Sequence, residues 1–64
     1  MKDCLERIRL LRQLKGYSQN YMALKLGISQ RAYSKLETNK VELTVKRLKQ
    51  IANVLEIEAG ELIK

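Results

Sequence analysis

Residues 18–37 read SQNYMALKLGISQRAYSKLE, and the fold turns on this stretch. From Gln19 to Leu26 the apolar side chains Tyr21, Met22, Leu24 and Leu26, with Ala23 among them, are spaced so that one side of a helix can be buried. Gly27 follows, a residue that takes the left-handed conformation ending a helix without a Cβ penalty. Ile28 is then an apolar plug, and Ser29 an N-cap whose hydroxyl can accept from backbone N–H groups of the next turn. Ile28 and Tyr33 take the N′ and N4 positions of the next helix, the spacing of a hydrophobic staple. That helix is expected over residues 30–37, with Tyr33 and Leu36 inward and Ala32 small enough for close packing. Thr38-Asn39 stops it, asparagine being the commonest substitute for glycine in the left-handed region.

A helix, a glycine, an apolar residue, a capping serine and a second helix describe a helix-turn-helix, and also the outline of an ordinary αα-hairpin. What separates the two is the outer side of the second of these helices. Gln30, Arg31, Ser34 and Lys35 lie on a face that its own core does not need.

Working outward, residues 3–14 form the expected first helix, with Leu5, Ile8 and Leu11 (and Cys4 beside them) as its core stripe. Leu10 and Leu14 are an i,i+4 pair on a neighbouring face, either covering the edge of the core or offering a contact to a second subunit. Lys15-Gly16 ends that helix, and Ser18 caps the next one, with Tyr17 and Met22 at staple spacing. Gln19 and Asn20 open the second helix, where unpaired N–H groups and the positive dipole end attract phosphate; they are equally ordinary first-turn residues. Thr44 caps a fourth helix whose buried stripe is Val45, Leu48, Ile51, Ala52 and Leu55, stapled by Leu43 and Leu48. A fifth, short helix is expected over residues 59–63, though Glu58 is a mediocre cap and Gly60 a poor helix former.

Size and charge bound the function. At 64 residues the chain is read as one domain, 1–64, and such a domain buries only about 60% of the surface its unfolded chain exposes. The apolar residues are mostly Leu and Ile at helical spacing, which favours an all-α fold. A single cysteine forms no internal disulfide, and neither a secretory leader nor a bilayer-length apolar run is read, so the expected location is cytoplasmic. The net charge is +6, unevenly spread: residues 1–50 hold twelve basic and four acidic side chains, residues 51–64 one basic and three acidic. A basic body with a mildly acidic end suits a domain that meets a polyanion on one side. With no histidine, no clustered carboxylate pair, no Gly-rich phosphate loop and no metal-ligand spacing, neither an enzyme nor a cofactor or metal site is expected.

Together these residues resemble the Cro/phage-repressor helix-turn-helix family, the XRE family of bacterial and phage transcriptional regulators. The resemblance spans about residues 8–63. It rests on Arg12, Gly16-Tyr17-Ser18-Gln19, Met22-Ala23, Leu26-Gly27-Ile28-Ser29, Tyr33-Ser34-Lys35-Leu36-Glu37, and Leu48 with Ile51-Ala52 and Leu55. None of these is specific alone; their joint order and spacing is. The resemblance implies a compact, five-helix, lambda-repressor-like fold in which Arg12 pairs with Glu37. It implies that Gln30, Arg31, Ser34 and Lys35 read bases in the major groove, where Gln suits adenine and Arg or Lys suits guanine. It also puts Ser18, Gln19, Thr38 and Lys40 on the phosphates. The partner so implied is double-stranded DNA with a palindromic operator, bound by a homodimer whose half-sites lie roughly 34 Å apart. Leu43, Ile57, Leu62 and Ile63 are the candidates for the two-fold contact. The nucleoid of a bacterial or phage-infected cell is the implied location, and no membrane is involved.

Three departures accompany the resemblance: Thr38-Asn39 in place of Asn-Gly, Leu43 in place of a frequent proline, and Glu56 in place of the glycine after the fourth helix. The second helix carries no acidic residue of the kind that family activators present, which favours repression. The competing expectation is a protein-binding module on the same scaffold, such as an antitoxin or regulatory partner. Salt-dependent affinity for a duplex separates the two.

Overall fold

The computed structural model describes residues 2–63, which form α1 (Lys2–Leu14), α2 (Gln19–Leu26), α3 (Gln30–Glu37), α4 (Val45–Leu55) and a single 3-10 turn, Ala59–Glu61. No strand occurs among the described residues. Each of α2, α3 and α4 starts by the same device. The hydroxyls of Ser18, Ser29 and Thr44 accept from the backbone N–H groups of Tyr21, Ala32 and Arg47 at 2.9, 3.1 and 3.1 Å, each satisfying one donor that the first turn leaves unpaired.

The four helices also end alike. Gly16, Gly27, Asn39 and Glu56 all have φ between 61° and 74°. After each, the next N–H reaches back to the carbonyl of Arg12, Ala23, Lys35 or Ala52, at 2.9–3.0 Å. This is the Schellman arrangement, which needs one left-handed residue per helix end. Glycine supplies it without strain at Gly16 and Gly27, and asparagine at a modest cost at Asn39. Glu56 adopts the same φ of 61° with a Cβ in place, so the missing glycine does not alter the cap; it only strains it.

These boundaries set the helices around one core. Ile8, Met22, Tyr33, Ile51, Leu55 and Leu62 are its largest fully buried side chains. α2 packs on α3 and α4, and α1 crosses both α3 and α4. Cys4 belongs to this core, and burial raises its thiol above the ordinary value despite nearby positive charge, so it serves as a small hydrophobe.

Several expectations need correction. The five-helix plan is four α-helices plus one 3-10 turn, because Glu58 makes no side-chain cap and residues 59–61 are too few for an α-helical ladder. Leu24 and Val45 are 71% and 62% exposed rather than inward. Leu24 lies about 100° around its helix from buried Ala23, and Val45 about 60° from buried Leu48, each on a side no other helix covers. Leu10 and Leu14 stand in solvent and do not cover the edge of the core. Of the four residues considered for a two-fold contact, Leu43 and Leu62 are inside the core instead, leaving Ile57 half-buried and Ile63 exposed.

Candidate nucleic-acid interface

α3 is held from behind by a closed set of polar bonds. Arg12, from α1, donates through Nε to Glu37 Oε2 and through Nη2 to Glu37 Oε1, both at 2.9 Å. Its third nitrogen, Nη1, donates to the Tyr17 carbonyl at 2.8 Å. The Tyr33 hydroxyl donates to Glu37 Oε2 at 2.6 Å, and the Gln19 side-chain nitrogen to Glu37 Oε1 at 3.3 Å. The Arg12 and Glu37 side chains are only 11% and 2% exposed, so this is a buried, two-pronged ion pair. No buried side-chain nitrogen or oxygen among the described residues lacks a partner.

The charge states follow from that geometry. Burial works to raise the Glu37 carboxyl, but the bonds from Arg12, Tyr33 and Gln19, with the Arg12 charge, outweigh it and hold it below the ordinary glutamate value. The Tyr33 phenol is pushed far up, first by burial and then by its bond to the Glu37 carboxylate, so it stays a donor. The bond to Glu37 likewise raises Arg12.

The outer side of α3 is the reverse. Gln30, Arg31, Ser34 and Lys35 line one shallow depression together with Gln19, Thr38 and Lys40. Ser34 and Gln19 are half-buried there and the other five are exposed. No carboxylate shares this lining. Among the described residues the ion pairs are Arg12–Glu37 and Lys15–Glu56, so Arg31, Lys35 and Lys40 keep no acidic partner. Ser18 lies outside the depression, exposed at the start of α2; its oxygen is engaged as the cap, which leaves its proton available. Thr38 is less available than its exposure suggests. Its hydroxyl donates to the Ser34 carbonyl at 2.7 Å and its N–H donates to the same carbonyl at 3.0 Å, so an anion there must displace one of these bonds.

A second depression runs along the other flank of α3, and the sequence gives little warning of it. Arg31 and Lys35 share it with Val41, Glu42 and Arg47. Arg47 reaches it from the first turn of α4, which the Thr44 cap opens, and Arg47 Nη1 donates to Gln50 Oε1 at 3.0 Å. Among the described residues no group of three or more His, Cys, Asp or Glu is placed to hold a metal ion, and no helix is long and apolar enough to cross a membrane.

Two capped helices joined through a left-handed glycine, the second with a basic outer face, define a helix-turn-helix domain. A helix-turn-helix family profile matches residues 8–62, and the chain belongs to that family. It is 41% identical over 59 residues to the prophage-derived HTH-type transcriptional regulator YonR of Bacillus subtilis, covering 92% of this chain and 55% of that protein. It is 41% identical over 56 residues to the HTH-type transcriptional regulator SlrR of the same organism, covering 86% of this chain and 37% of SlrR. The chain thus spans about half or less of the length of these relatives. Among solved structures it is similar to the N-terminal DNA binding domain of SinR from Bacillus subtilis. The TM-score is 0.85 and the identity 26%, with 100% of this chain and 94% of that one covered.

Proposed function

We propose that this chain binds double-stranded DNA sequence-specifically and acts as a transcriptional regulator, most simply a repressor. The observation that carries the reading is the outer face of α3, where Gln30, Arg31, Ser34 and Lys35 line one depression that holds no carboxylate, Glu42 lying in the other depression that Arg31 and Lys35 share. An eight-residue helix is about 12 Å long, comparable to the roughly 12 Å width of the major groove. In this reading Gln30 takes adenine, Arg31 and Lys35 take guanine, and Ser34 adds a short hydrogen bond to a base edge. Ser18, Gln19, Thr38 and Lys40 meet phosphates on the flank and set the register. Two copies bind a palindrome about one helical turn apart, with Ile57 and Ile63 as the remaining candidates for their contact. The relatives are named as transcriptional regulators, and the solved neighbour as a DNA binding domain, which supports a binding protein rather than an enzyme.

Selecting bound sequences from a random duplex pool, then titrating the winner against salt, tests this. The expected result is a preferred site whose affinity falls steeply as salt rises, each neutralised phosphate adding about −0.9 to the logarithmic slope. Enrichment of no sequence together with salt-independent binding would return the scaffold to the protein-binding reading.

A further inference from the structure

The geometry points to Glu37 as a positioning residue for the DNA contact: its carboxylate decides which end of the Gln19 side chain is offered to a phosphate. This rests on the DNA-binding reading above. A carboxylate only accepts, so the end of the Gln19 amide that faces Glu37 Oε1 at 3.3 Å is the nitrogen. An untethered glutamine amide turns over freely and presents its carbonyl oxygen, which a phosphate repels, as readily as its N–H groups. With one N–H held by Glu37, the second N–H on the same nitrogen remains for an anion, and the rotamer is fixed before DNA arrives.

The same carboxylate also fixes where this amide stands. Arg12, gripped by both Glu37 oxygens, donates its remaining nitrogen to the Tyr17 carbonyl, one residue before the Ser18 cap. The start of α2 is therefore tied to the end of α3 at two points, the Tyr17 backbone and the Gln19 side chain. Gln19 in turn lines the same depression as Gln30, Arg31 and Lys35. The distance between phosphate grip and base-reading side chains is thus set by one buried group that touches neither bases nor phosphates.

A double-mutant cycle on the preferred duplex tests this, run where circular dichroism shows every variant folded. Q19A in the wild-type background is expected to weaken binding about tenfold or more, the lower end of the range for one hydrogen bond to a charged oxygen. In the E37Q background the same change is expected to cost less than about twofold. Equal losses in both backgrounds overturn the proposal. Should E37Q fail to fold, the side-chain amide protons of Gln19 in the wild type decide it by NMR. A pair shifted apart and exchanging more slowly than that of exposed Gln13 supports the tether; a pair indistinguishable from Gln13 overturns it. Absence of any salt-dependent duplex binding by the wild type overturns the functional reading itself and this role with it, an outcome distinct from equal losses in the cycle.

Discussion

On its inner side α3 presents Tyr33, Leu36 and Glu37, all buried, with both carboxylate oxygens of Glu37 bonded by Arg12 and by Tyr33 or Gln19. On its outer side the same eight residues present Gln30, Arg31 and Lys35, exposed and with no ion-pair partner among the described residues. Charge is present on both sides, so charge does not distinguish them; what does is whether the molecule supplies the counter-group itself. A buried charge without its partner costs several kcal/mol, so the inner side had to be completed within the chain. Water serves an exposed guanidinium or ammonium well, so the outer side folds equally well unpaired and exchanges water for phosphate and base edges later.

The largest expected effect tests the inner side. Arg12→Ala leaves the Glu37 carboxylate buried without its guanidinium, a loss of about 3–5 kcal/mol. A 64-residue chain holds only about 3–10 kcal/mol in all, so the variant should lose from about a third to all of its stability, with a much lower urea midpoint. A cooperative urea transition close to that of the wild type would show that the inner side is not what holds α3.

Acid attacks the same group without mutation. Glu37 has a depressed native value, so its contribution is complete above the pKa of glutamate in the unfolded chain and is lost as pH falls through the lower native one. Thermal melts should therefore drop progressively below about pH 4.3, where unfolded glutamate titrates. Arg12→Ala, if enough folds to be measured, should lose most of that dependence; an unchanged acid limb in that variant would assign it to other carboxylates.

On the outer side, Lys35→Ala or Arg31→Ala should cost about 1–3 kcal/mol on the preferred duplex and relax discrimination at one base pair. Stability should move by no more than about 0.5 kcal/mol, because these side chains are exposed. Equal losses on every duplex would turn a base reader into a phosphate contact, and a large stability loss would blur the distinction between the two sides.

The smallest effect is a control away from both. Glu56→Gly relieves the left-handed strain after α4, offset by the greater chain freedom of glycine and by the loss of an exposed 4.0 Å pair with Lys15. A net gain below about 1 kcal/mol is expected, with duplex affinity unchanged. If affinity rose with stability, recognition and folding would be coupled more broadly than the two sides of α3 suggest.

The starts of α2, α3 and α4 were legible because Ser18, Ser29 and Thr44 each bond an N–H three residues on. The left-handed stops at Gly16, Gly27 and Asn39 were legible for the same local reason. Glu56 broke that rule: its Cβ disfavours positive φ, and its conformation comes from the α4 end closing back on Ala52. The Arg12–Glu37 pairing came through family resemblance, since 25 positions separate the two and no spacing rule joins them. The bond from Tyr33 to Glu37 joins i,i+4 neighbours that the helical period sets side by side, whereas the bond from Gln19 had no local signal, and neither did the flank where Val41, Glu42 and Arg47 line a depression with α3.

By itself, then, the amino-acid order determined where α2, α3 and α4 begin, where the first three helices end and which side of α3 stays polar, because caps, left-handed stops and the helical period act over about four residues. Only the packed structure decided that Leu24 and Val45 face solvent while Leu43 and Leu62 are covered, and that Ala59–Glu61 forms a 3-10 turn. It also decided that one carboxylate serves donors from three residues. Those outcomes depend on the angles at which whole helices meet. No short window of residues encodes such an angle, which emerges when side chains from distant positions compete for the same interior space.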